Sequence, residues 1–85
     1  MIEVEILPMA FVLLNTEIGS EDAVLEALMN IPGVQEAYLV YGVYDLIAKI
    51  SSEEMDTLKN VIMSKIRQLD KVRSTLTMIV IENEQ

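Results

Sequence analysis

The chain has 85 residues, enough for one small domain. With no Cys and no His it lacks a disulfide framework, a thiolate nucleophile and the commonest acid-base group and metal ligand, and its net charge of -8 repels nucleic-acid phosphates. Yet 52% of its residues are hydrophobic and mean hydropathy is +0.36, an apolar surplus that a monomer this small cannot hide and that a membrane or another subunit must cover.

The N-terminal stretch carries Glu3 and Glu5 and no basic residue, so it does not read as a secretory signal, and a cytoplasmic location is expected. The longest apolar run, Ile6 to Leu14, contains Pro8 and stops at Asn15, far short of the roughly 20 residues that cross a bilayer. No membrane partner is expected, which leaves another subunit to take the surplus. Within that run "MAFVLLN", Met9 to Asn15, reads as a buried strand that is apolar on both faces. Next, "TEIGSEDAVLEALMNIPG" reads as a helix with Ser20 as N-cap, Glu21 and Asp22 in its first turn, and a stop at Pro32 and Gly33. Val24, Leu28 and Ile31 give that helix a single apolar side.

"VQEAYLVY" and "YDLIAKI" then read as two strands joined tightly through Gly42, an antiparallel hairpin. A second helix follows "SSEE", where Ser51 and Glu54 suggest a capping box, and its apolar stripe is Met55, Leu58, Ile62, Ile66 and Leu69. Basic residues cluster between Lys59 and Arg73; Lys65, Arg67 and Lys71 fall around the end of this helix, where cations complement the macrodipole. "VRSTLTMIVI" closes the pattern as a strand. The six Met residues, sprinkled through apolar stripes, read as adaptable core filling.

Strand, helix, strand, strand, helix, strand is the resulting order, and its halves resemble each other. At one constant offset Val24, Leu28, Ile31, Val34 and Val40 correspond to Ile62, Ile66, Leu69, Val72 and Met78. Such a repeat of strand-helix-strand units predicts an α+β, ferredoxin-like βαββαβ fold, with a four-stranded antiparallel sheet and both helices on one face. The other face would keep part of the apolar content of the strands and dimerise sheet against sheet, as in a dimeric α+β barrel.

Two segments carry a resemblance to a known family. "IPGVQEAYLVYGVYDLIAKI", with its G-x-Y-D-L, and "LDKVRSTLTMIVI" resemble the effector-binding domain of the Lrp/AsnC, or feast/famine, transcription regulators, also called the RAM domain. The similarity runs from about Pro8 to Ile81. It implies a ferredoxin-like fold, dimers formed through the sheets, assembly of dimers into an octamer or similar ring, and amino-acid effectors bound between dimers. Family regulators carry an N-terminal helix-turn-helix domain, and only a few residues precede the first strand here. The expectation is therefore a single stand-alone RAM domain over residues 1–85 without a DNA-binding domain, which modulates full-length Lrp/AsnC-type regulators and does not bind DNA itself.

An amino-acid pocket needs an anion or carbonyls for the ammonium, convergent donors for the carboxylate and a shaped wall for the side chain. The loop Tyr41, Gly42, Val43, Tyr44, Asp45 holds all three kinds of group. Gly42 either lets a ligand approach the backbone or simply makes the turn. Asp45, a residue depleted in strands, either faces solvent, pairs with Lys49 or Lys71, or orients the ligand's ammonium; the resemblance at "YDL" implies the last. Tyr44 is the better wall candidate of the two tyrosines, although packing accounts for either alone. Thr75 and Thr77 share one face of the last strand, and the resemblance at "R-S-T-x-T" implies that they line the same pocket, with Ser74 a lesser member because it points to the other face.

No catalytic residue, metal or cofactor is expected. A cofactor-free enzyme on a similar scaffold is one alternative, but Asp45, the tyrosines and the lysines show no mutual activation. The other is a ligand-free module that joins regulators through the sheet. The ACT domain, an amino-acid sensor with the same element order, lacks the match at "VYGVYDL", and an RNA-recognition motif would carry aromatic and basic residues where this chain has "LTMIVI" and "AFVLLN".

Overall fold

A computed structural model describes residues 7–81. The elements are β1 (Met9–Thr16), α1 (Glu21–Met29), β2 (Val34–Leu39), β3 (Leu46–Ser51), α2 (Met55–Val61), which runs on into a π-helical turn at Ile62–Ile66, and β4 (Val72–Ile79). The four strands form one antiparallel sheet in the order β2-β3-β1-β4, the ferredoxin-like arrangement.

Strand alternation sorts the side chains cleanly. Ala10, Val12 and Leu14 of β1 lie opposite Ile50, Ala48 and Leu46 of β3, and all six are buried under the helices. Val24 and Leu28 of α1, Leu58 of α2, and Ile62 and Ile66 of the π turn complete this core. On the other face Phe11, Leu13 and Ile47 are half-buried by their neighbours, while Tyr38, Leu76 and Met78 are exposed. Both helices thus cover one face, and the opposite face is an open apolar surface.

Local details depart from the sequence pattern in four places. Helix α1 ends at Met29 with Asn30 as C-cap, before Pro32, and Ile31 packs on the core from the turn that follows. Ser20 is its N-cap residue but makes no side-chain cap bond; the Glu21 carboxylate instead accepts the N–H of Gly19 at 3.3 Å. The capping box does not form: Ser51 ends β3, its hydroxyl donates to the carbonyl of Pro8 at 2.9 Å, and Glu54, with extended backbone, precedes the helix. Nor is the β2–β3 connection tight, because the strands stop at Leu39 and Leu46 and residues 40–45 form a loop closed by Val40 N–H donating to Asp45 O at 2.9 Å.

Candidate ligand site

Asp45 ends the loop just before β3 and is tied twice to β1. Its N–H donates to Leu14 O at 2.9 Å, and its Oδ2 accepts the N–H of Thr16, also at 2.9 Å. That N–H faces β3 and needs a partner because the β1–β3 ladder ends at the Leu14–Leu46 pair. Neither Lys49 nor Lys71 pairs with Asp45; Lys49 bridges to Glu36 at 3.6 Å. Among the described residues Oδ1 of Asp45 accepts no hydrogen bond.

Around this carboxylate lies an open depression of about 350 Å³ lined by Asn15, Thr16, Asp45, Arg73 and Ser74. The Asn15 amide donates to the Ser74 hydroxyl across it at 3.3 Å. Thr16 is only 5% exposed, and its Oγ1 has no partner among the described residues.

Thr75 and Thr77 go elsewhere within the subunit. They lie opposite Leu14 and Val12, so they point to the helix side, whereas Ser74 lies opposite Asn15 on the open face. A second depression of about 430 Å³ lies between the helical segment and β4, and holds both threonines with Ile62, Met63, Leu76 and Ile79 under the cations Lys59 and Arg67. Tyr41 and Val43 project fully into solvent. Tyr44 is half-buried and lines neither depression. Gly42, at φ 158°, has no atom within 4 Å of where a Cβ would stand, so nothing crowds its backbone. Of the seven residues expected from sequence, only Asp45 lines the polar depression; Ser74, pointing away from the threonines, joins it, Arg73 stood in the "R-S-T-x-T" stretch without an assigned role, and Asn15 and Thr16 carried no sequence signal for it.

On the open face Tyr38 Oη donates to Glu36 at 2.6 Å. That bond, helped by the charge of Lys49, holds the Glu36 carboxyl below its usual range, and the same bond pushes the Tyr38 hydroxyl up. Among the described residues no cluster of three acidic, His or Cys side chains could hold a metal ion. No described helix is long and apolar enough to cross a membrane.

Residues 9–84 match the Lrp/AsnC ligand binding domain. The regulatory protein AsnC of Escherichia coli K12 is 36% identical over 59 residues, which cover 69% of this chain and 39% of that protein. An HTH-type transcriptional regulator of Pyrococcus horikoshii, PH1916, is 32% identical over 73 residues, 82% of this chain and 49% of its own. The chain thus spans half or less of these curated relatives, both of them named as regulators. Among solved structures, hypothetical protein PHS023 from Pyrococcus horikoshii superposes with a TM-score of 0.83 at 42% identity, covering 89% of this chain and 92% of that one. Sequence, topology and superposition agree, and the chain belongs to the Lrp/AsnC ligand binding domain family.

Proposed function

We propose that this chain is an amino-acid-binding regulatory module that works as a homo-oligomer and acts on transcription through full-length regulators of its own family, without contacting DNA and without catalysing a reaction. The observation that carries the amino-acid part is the Asp45 carboxylate. One of its oxygens is fixed by the Thr16 N–H, and the other is unbonded among the described residues, beside an open depression of about 350 Å³. A carboxylate oriented before the ligand arrives suits an ammonium, since little ordering remains to be done on binding. Oligomerisation is supported by the sheet face that bears Phe11, Leu13, Ile47, Tyr38, Leu76 and Met78, with no helix over it. The net charge of -8 opposes direct contact with DNA.

A thermal-shift screen of the amino acids tests this reading. A ligand at about 100 times its Kd adds about 2.7 kcal/mol of stability. No shift with any amino acid would favour the second reading, a ligand-free module that joins regulators through the same sheet face. In that case association with a partner domain would persist in the absence of amino acid.

A further inference from the structure

We infer that Arg73 anchors the ligand's carboxylate, and that the depression around Asp45 selects an amino acid with a short polar side chain, an amide or a hydroxyl, over an aliphatic one; this rests on the amino-acid-binding reading above. Arg73 owes its place to the bulge. Thr16 lies opposite Val72 and Asn15 opposite Ser74, so Arg73 is the residue of β4 left without a partner on β1, and a bulge re-aims the side chain it carries. The chain has only six cations, and among the described residues Arg73 makes neither an ion pair nor a side-chain hydrogen bond. Lys49 is held by Glu36 and Arg67 lies against the sulfur of Met63, whereas Lys59, Lys65 and Lys71 share the lack of such a bond among the described residues, so it is the place beside Asp45 that sets Arg73 apart.

One depression therefore holds a carboxylate and a guanidinium that do not bridge to each other. An α-amino acid presents the complementary pair, an ammonium for Asp45 and a carboxylate for the bidentate fork of Arg73. The remaining walls are the Asn15 amide and the Ser74 hydroxyl, with Thr16 beside them, its own side chain buried. Every lining side chain is polar. The Asn15 to Ser74 bond, at 3.3 Å, is long enough to give way to a ligand amide or hydroxyl bonding to both. An aliphatic side chain would find no apolar wall and would gain no bond from these groups. The larger depression has the apolar walls, but its charged lining residues are Lys59 and Arg67, with no acid to meet an ammonium.

Calorimetric titration of the full chain with L-asparagine, L-serine, L-leucine and L-asparagine amide, on wild type, Arg73→Gln and Arg73→Lys, tests the inference. Expected on wild type is binding of asparagine or serine at least about tenfold tighter than leucine, and weaker binding of the amide, which has no carboxylate. Arg73→Gln should weaken asparagine roughly tenfold to hundredfold while barely changing the amide, and Arg73→Lys should recover part of the loss. Leucine binding tightest, or acid and amide responding alike to Arg73→Gln, overturns the inference while the amino-acid reading stands. Binding of none of the four probes overturns the inference, and a blank screen of all amino acids removes the reading beneath it. If Arg73→Gln alters the assembly measured by light scattering, the acid and the amide on wild type decide alone, and equal affinity for the two is the overturning result.

Discussion

Asp45 accepts the Thr16 N–H at 2.9 Å, so the residue that opens β3 also closes the far end of β1. The two roles of this carboxylate, strand closure and ligand contact, are separable by substitution. Asp45→Asn keeps an oxygen for Thr16 and removes the charge, so stability and assembly should hold while affinity for the best amino acid falls roughly tenfold to hundredfold. Asp45→Ala removes the acceptor as well and should cost about 1 to 3 kcal/mol of stability in denaturant unfolding. Unchanged affinity of Asp45→Asn in an intact oligomer would mean that the ligand lies elsewhere.

Gly33 leads into β2 at φ 100°, with the position of a Cβ only 3.2 Å from Ser51 O, and its carbonyl accepts the Ser51 N–H at 2.9 Å. A side chain there meets both an unfavourable backbone region and a fixed β3 carbonyl. Gly33→Ala should destabilise by about 1 to 3 kcal/mol, read as a shift of the denaturation midpoint. A midpoint equal to wild type would show that the turn relaxes freely.

The Tyr38 to Glu36 bond predicts opposite titration shifts. Glu36 sits below its ordinary 4.5 because the phenol donates to its charged form, so its contribution to stability is present above that value and is lost as pH falls through the folded-state value. Tyr38 sits above its ordinary 10.0, so its contribution is complete below that value and disappears as pH rises through the folded-state value. In Tyr38→Phe the Glu36 side-chain carbon, followed by NMR, should titrate higher than in wild type. An unmoved midpoint would leave Lys49 as the only influence.

Light scattering should report a mass several times 9.6 kDa for wild type. Leu76 and Met78 are 44% and 47% exposed on the helix-free face, and a charge placed there would have to be buried on association. Leu76→Glu should therefore lower the mass while circular dichroism stays native. A wild-type monomer at micromolar concentration would remove the assembly proposal.

Much of the fold was legible because the period-2 and helical patterns coincide with real burial. The equivalences Val24 with Ile62 and Leu28 with Ile66 are four buried core positions, and Val34 and Val72 each begin a strand. Less legible were features decided by distant partners. Ser51 looks like a cap because Glu54 follows at the right spacing, yet the carbonyl of Pro8, just ahead of β1, takes its hydroxyl. The π turn, where Arg67 N–H reaches back to Ile62 O at 3.0 Å, has no spacing signature. The candidate site was hidden for a related reason. Alternation correctly puts Thr75 and Thr77 on one face, but which face depends on their pairing with Leu14 and Val12, and the bulge that isolates Arg73 is a matter of register. Arg73 also sits at the end of a basic cluster in which helix-end electrostatics already accounts for Lys65, Arg67 and Lys71.

The strand order bears on how the domain folds. Only the β2–β3 ladder joins neighbours in sequence; β1 pairs with β3 as far along as Ser51 and with β4 at Ile79, opposite Ala10. Closing those long loops costs entropy before any contact repays it, so folding should be limited by the docking of β1 between its two partners. Until then "MAFVLLN", which has no charged residue and a high β-propensity, stays available to other chains. The strand that ends as the centre of the sheet must wait for both partners, and its exposure until it docks should make refolding yield fall as protein concentration rises.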